Sequence, residues 1–258
     1  MKRSIFYIFV GLILASVLFT SCEEKKHKGG RTDTPTSGVI AFASDESFSP
    51  IIEEEREMFE DMYPKAKLKP IYTNEYDEVD MLMRGKICLA ITARDFTPKQ
   101  LKYLQDNNFQ PVAIKLAYDG LALIVNKNNN DTCISVNDVK RILSGQVTEW
   151  NQIYPGSHRG KIKIVFDNPK SSTVKFCEDS ILGGHGISNV NASAVKTSAG
   201  VIDFVEKTPN AIGVIGSNWL NDKRDTTNTT FKKNIHVMSV SKMDKATEMN
   251  SWKPYQAY

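Results

Sequence analysis

The sequence predicts an α/β fold with mostly parallel sheets, and three observations predict it. Short apolar runs suited to β-strands alternate with segments of helical periodicity. Hydroxyl residues and prolines stand where the helical segments begin. The chain is 258 residues long, 41% hydrophobic and 24% charged, which allows one large domain or two of ordinary size and argues against disorder, collagen and a multi-span membrane protein.

Gly38 to Ala43 is the first strand-like run, and Ser49-Pro50 then reads as an N-cap and first helical residue. The helix that follows carries Ile51/Ile52, Met58/Phe59 and Met62/Tyr63 on one face and stops at Pro64. A strand is expected near Lys67 to Tyr72, then a helix over Tyr76, Val79, Leu82 and Met83 closed by Gly85, then a buried strand from Ile87 to Thr92. Thr97-Pro98-Lys99-Gln100 has the form of a capping box and opens a helix with Leu101 and Leu104. Pro111 to Leu116 and Leu121 to Asn126 are two more apolar runs. Ser135 to Asp138 caps a helix ending at Gly145, and Lys161 to Phe166 alternates as a strand. Ser171-Ser172-Thr173 precedes a helical run from Val174 to Leu182, Ser198 to Val205 forms a short helix, and Ala211 to Ile215 is a strand.

The amino terminus concerns targeting. Lys2 and Arg3 precede an apolar run from Ile5 to Phe19, shorter than the ~20 residues that span a bilayer, so it reads as a signal peptide. The run ends Leu18-Phe19-Thr20-Ser21-Cys22, a small residue just before a cysteine, which resembles the bacterial lipobox. That resemblance implies cleavage before Cys22 and a diacylglyceryl group on its thiol. Glu23 to Gly38 is polar and without apolar periodicity, as suits a flexible tether.

Lys plus Arg number 33 and Asp plus Glu 30, a net +3. Cleavage at the lipobox removes Lys2 and Arg3 and no acid, leaving the chain nearly neutral. No basic cluster extends beyond residues 25 to 28, so no nucleic-acid partner is expected. With Cys22 set aside, Cys88, Cys133 and Cys177 are an odd set, which excludes a fully paired disulfide framework. Cys88 is expected in the core, and a Cys133 to Cys177 bridge stays open.

Catalytic signatures are scarce. His27, His158, His185 and His236 stand apart, with no second ligand at metal spacing. There is no Gly-x-Ser-x-Gly elbow and no phosphate loop ending in Gly-Lys-Ser/Thr, and Gly183 to Gly186 follows a helix as a loop would. No metal, no cofactor and no enzymatic activity are expected. Instead, hydroxyl residues gather where strands hand over to helices, at Ser44-Asp45-Glu46-Ser47-Phe48-Ser49-Pro50 and at Asp167-Asn168-Pro169-Lys170-Ser171-Ser172-Thr173. Helix N-termini offer unpaired N–H groups and partial positive charge, so two such junctions facing each other would hold an anion; either alone is also what ordinary capping produces.

The order of several pieces carries a resemblance. Tyr118-Asp119 followed by Gly120-Leu121-Ala122-Leu123-Ile124-Val125-Asn126, then Gly145 with Thr148, Trp150 and Asn151, then Ser171 to Thr173, then Val205 to Gly213, resemble the phosphate-binding proteins of bacterial ABC transporters. The resemblance covers residues 38 to 220. It implies a two-lobed type II periplasmic binding fold with a mixed, mostly parallel sheet in each lobe. The corresponding expectation is a signal peptide at 1–21, lipidated Cys22 and tether at 22–37, a first lobe at 38–118, a second at 119–213, and a return to the first lobe at 214–258. The lobes would be joined by crossings near Tyr118 to Val125 and Ala211 to Ile215.

Carried over residue by residue, the resemblance makes Ser47 and Phe48 the first-lobe phosphate contacts and Ser171, Ser172 and Thr173 the second-lobe contacts, with Ser172 in place of a glycine. The family's arginine falls on Asp167, its first-lobe aspartate near Ala93, and the serine of its second loop near Glu75. Thr92 and Arg94 join the expected ligand set, Arg94 supplying the missing cation with Lys170 as second candidate. Phosphate carries a proton near neutral pH and sulfate does not, so a nearby carboxylate would select phosphate. Asp167 is the first choice for that role, with Asp45 and Glu75 next. The expected protein is a monomeric, lipid-anchored solute-binding protein of the bacterial cell envelope, facing the periplasm or exterior, which passes phosphate or a related oxyanion to an ABC permease. The alternative is a lipoprotein of the same fold that takes another ligand or senses it without transport, because Glu75 and Asp167 put negative charge where an anion would sit.

Overall fold

The structure, a computed structural model, describes residues 33–221 and 234–254. The expectations for the signal peptide, Cys22 and most of the tether fall outside them. Residues 34 to 37 close a tight turn, with the Thr34 N–H donating to Ser37 O at 2.9 Å. No helix among the described residues is long and apolar enough to cross a membrane.

The first lobe is built on β1 (Gly38–Asp45), β2 (Ala66–Thr73) and β3 (Ala90–Ile91), a parallel sheet in the order β2-β1-β3. Around it lie α1 (Ser49–Met62), α2 (Glu75–Met83) and α3 (Pro98–Asp106). Their boundaries follow local chemistry. The Asn74 side chain accepts the Tyr76 and Asp77 N–H groups at the start of α2, and the Thr97/Gln100 capping box opens α3. Helix α1 departs in detail from the expectation, because Ser49 is already helical and the cap position is Phe48, which makes no side-chain cap. A 3₁₀ turn, Glu46–Phe48, runs straight into it, capped by Asp45.

The larger sheet has the order β7-β6-β8-β4-β9, made of β4 (Leu121–Asn126), β6 (Lys163–Phe166), β7 (Ala192–Ala194), β8 (Ala211–Gly216) and β9 (Ile235–Val237). β6 pairs parallel with β7 and β8, while β4 runs antiparallel to β8 and β9. A separate parallel pair joins β5 (Cys133–Ser135) to β10 (Ser239–Ser241). The helices of this lobe are α4 (Val136–Leu143), α5 (Ser172–Phe176), which continues as a π-helical turn Cys177–Ile181, and α6 (Ser198–Lys207).

Strand periodicity sorts the side chains of this sheet into two cores. Leu123, Val125, Ile164, Phe166, Ile212 and Val214 face α4, Trp150 and Met238, while Ala122, Ile124, Val165 and Ile215 face Val201 and Val205 of α6. Gly213 lies on the α6 side. A Cβ there would stand 2.8 Å from Ile124, Val201 and Val205, so only glycine lets the helix come this close.

Two expectations are corrected. The strand from Ile87 to Thr92 shrinks to Ala90–Ile91, because it lies at the sheet edge and only its end meets β1. Cys88 is exposed rather than buried, since Ile87 takes the inward position beside it. The apolar run Pro111 to Leu116, unlike Leu121 to Asn126, forms no strand, and Val112, Ile114 and Leu116 are exposed. In the segment expected to return to the first lobe, Asn218 and Trp219 reach Ser47 of that lobe, while β9 pairs with β4 and β10 forms a separate pair with β5. Among the described residues Cys88, Cys133 and Cys177 form no disulfide, so the Cys133 to Cys177 bridge is not made, and burial pushes the Cys177 thiol up to about 12.

Candidate functional site

The two hydroxyl-rich junctions meet. Strand β1 ends in the buried Ser44 and Asp45 and hands over to the 3₁₀ turn at Ser47; strand β6 ends at Phe166 and hands over through Asp167 to α5. Ser47 Oγ lies 2.8 Å from Ser172 Oγ, 125 residues along the chain. Asp45 spans the same gap, its Oδ1 accepting the Ser47 N–H and its Oδ2 the Ser172 N–H, both at 2.9 Å. The backbone carbonyl of Ser47 accepts two further donors, Asn218 Nδ2 and Trp219 Nε1, each at 2.9 Å. Beside this contact the Glu46 carboxylate accepts the N–H of Ser198 at 3.0 Å and its hydroxyl at 2.9 Å, at the start of α6.

Asp167 is 1% exposed and holds the second junction in shape. Its Oδ1 accepts the Ser171 hydroxyl at 2.8 Å and the Thr173 hydroxyl at 2.6 Å. Its Oδ2 is buried with no partner. Burial raises its pKa against the pull of those two hydroxyls, and nearby Asp45 raises it further. The turn that Asp167 opens is closed by its neighbour, since Asn168 Oδ1 accepts the Lys170 N–H at 2.9 Å.

The remaining expected residues lie to one side. Thr92 donates to Glu75 Oε1 at 3.2 Å, and the Arg94 guanidinium stands 3.9 Å from Glu75 Oε2 while also donating to Gln100 and to the Asp95 carbonyl. Burial raises the pKa of Glu75, with Thr92 and Arg94 opposing it. Lys170 is exposed and sits over the Tyr76 ring at 4.6 Å, a cation–π contact from one lobe to the other. Phe48 is half-buried.

Sequence reasoning missed Glu46, Glu78, Ser198, Asn218 and Trp219. Ser198 had a signal in its place at a helix start, but a contact between residues 152 apart in the chain has none. Glu78 is fully buried, and burial pushes its pKa up to about 9 against the pull of the Thr92 hydroxyl, with Asp45 and Glu75 adding to the rise. Asp45, Glu46, Glu75, Glu78 and Asp167 thus form a carboxylate cluster around the contact, the other four each coupled to Asp45. A cleft of about 600 Å³ opens next to it, lined by Glu46, Ser49, Glu53, Tyr72 and Asn74 from the first lobe and by Asn168, Lys196 and Thr197 from the second.

Two α/β lobes whose strand-to-helix junctions face each other across a cleft define a two-lobed solute-binding protein of type II architecture. The chain belongs to the PBP superfamily: the PBP superfamily domain matches residues 29–256. It is 22% identical over 225 residues to the phosphate-binding protein PstS of Staphylococcus aureus strain USA300, covering 87% of this chain and 68% of that one. Among solved structures, a substrate-binding protein assigned to phosphate ABC transport in Clostridium perfringens, with bound phosphate, superposes with a TM-score of 0.65 at 22% identity, covering 83% of this chain and 79% of that one. An ABC-type phosphate transport receptor from Vibrio cholerae gives 0.55 at 21% identity, covering 80% and 78%. These likenesses establish the fold.

Proposed function

We propose that the protein captures inorganic phosphate between its lobes and delivers it to the permease of an ABC transporter, anchored to the cell envelope by a lipid on Cys22 and working as a monomer without catalysis. The observation that carries this reading is the convergence of Ser47 with Ser172, and of Ser171 and Thr173 behind them, from opposite lobes onto one point. The ligand groups are the hydroxyls and N–H groups of Ser47, Phe48, Ser171, Ser172 and Thr173. Thr92 and Arg94 adjoin them, and Lys170 guards the rim. Asp167 accepts the proton that phosphate carries, which its unpartnered Oδ2 is free to do. A micromolar Kd requires about −8 kcal/mol, and hydrogen bonds to a charged group contribute roughly 1.5–3 kcal/mol each, so a handful of these donors is enough. The relatives from Staphylococcus aureus, Clostridium perfringens and Vibrio cholerae are phosphate-binding or phosphate-transport proteins, which supports the same ligand.

The acidic surroundings favour a second reading, a protein of this fold that takes another ligand or senses without transport. A thermal-shift panel of phosphate, sulfate, arsenate, molybdate and small organic acids separates the two. Stabilisation by phosphate and arsenate but not sulfate is the expected result, and stabilisation by none of the oxyanions would replace the phosphate reading with the second.

A further inference from the structure

The donors that an oxyanion would need are already engaged by the protein's own carboxylates. Asp45 is fully buried and accepts from Ser47 in its own lobe and from Ser172 in the other. Glu46, the next residue, accepts the N–H and hydroxyl of Ser198 at the start of the ten-residue helix α6, also in the other lobe. Nearby, Asp167 Oδ2 is buried with no donor. The N–H groups at the junction are thus already taken, and an N–H that serves Asp45 cannot serve a ligand oxygen in the same geometry.

We propose that Asp45 and Glu46 form an internal counter-anion, which holds the lobes together across the junction and limits the affinity of the cleft for free oxyanions. Each carboxylate does both jobs with one set of bonds. Its contacts across the junction tie residues 127 apart at Asp45 and 152 apart at Glu46, so breaking them frees the lobes to separate. Its charge repels an incoming anion, and its oxygens must leave the N–H groups before that anion can take them. Affinity is then the difference between two occupants of the same donors, and specificity follows from which anion can outcompete a carboxylate. The affinity half of this rests on the phosphate reading above; the clamping half does not.

The test compares the mature chain with Asp45→Asn and Glu46→Gln in two measurements. Asn at 45 keeps the size but turns an amide donor towards one of the two N–H groups, and Glu46, only partly buried, can be changed with little risk to folding. Small-angle scattering in phosphate-free buffer should show both variants with a larger radius of gyration than the parent. Calorimetric titration with inorganic phosphate should show Kd tightened roughly tenfold or more in Asp45→Asn, in line with removal of one charge-assisted competitor. An unchanged radius in both variants overturns the proposal, and so does a phosphate affinity that is unchanged or weaker, which would make Asp45 a ligand contact instead. Expanded variants with no phosphate binding in any of the three proteins would overturn the phosphate reading and leave the clamp standing.

Discussion

Glu78→Gln should stabilise the protein at neutral pH, and the effect should vanish in acid. Glu78 is fully buried in α2, and burial holds its pKa at about 9 against an ordinary 4.5, with the Thr92 hydroxyl pulling the other way. Between those values the folded chain keeps a proton that the unfolded chain releases, so the unfolded state binds fewer protons and stability falls as pH rises. The cost is absent below pH 4.5, grows by about 1.36 kcal/mol per pH unit, and reaches roughly 3 kcal/mol at pH 7. Glutamine has nearly the same shape and stays neutral throughout, so it escapes this cost while matching the protonated acid in the folded state. The gain in Tm at pH 7 should be about 6–12 °C, since each kcal/mol moves a chain of this size by roughly 2–4 °C. Differential scanning calorimetry at pH 4.5, 6 and 7.5 measures it. A Glu78→Gln gain that is equal at pH 4.5 and 7.5, or a variant less stable than the parent at pH 7.5, would refute the buried-acid argument.

Three other changes test separate parts of the structure. Gly213→Ala should lose about 1–3 kcal/mol in urea unfolding, because its Cβ collides with Ile124, Val201 and Val205 at 2.8 Å. Asp167→Asn should weaken phosphate binding and narrow the phosphate-to-sulfate preference; a ratio equal to that of the parent in paired titrations would remove Asp167 as selector. Cys22→Ser should move the protein from the membrane fraction to the soluble one, as expected when multiple acyl chains supply the attachment, and an uncleaved variant retained in membranes would point to a plain N-terminal anchor.

The strands and helices of the second lobe were legible because their signals are local and strong. The continuous apolar run of β4, the alternation of Lys161 to Phe166 and the cap at Ser135 each act within a few residues. The first lobe was harder: Pro111 to Leu116 has the right composition, but pairing depends on a neighbour that composition does not reveal. β9 and β10 were missed for the same reason, being three residues each and defined by the strands they join. At the site, Ser47 and Ser171 to Thr173 could be found because capping residues cluster at strand ends. Asp45 and Glu46 lay inside the same motif, yet their partners Ser172 and Ser198 are contacts of the folded chain alone. The burial that moves Glu78 to about 9 is likewise a property of packing, since an acid on a helix face reads as solvated until a lobe closes over it.

Titration calorimetry on the mature, phosphate-stripped protein decides whether this cleft captures phosphate. A saturable single-site heat with inorganic phosphate, absent with sulfate at the same ionic strength, is the expected result. No heat at millimolar phosphate, or equal binding of both anions, would contradict it.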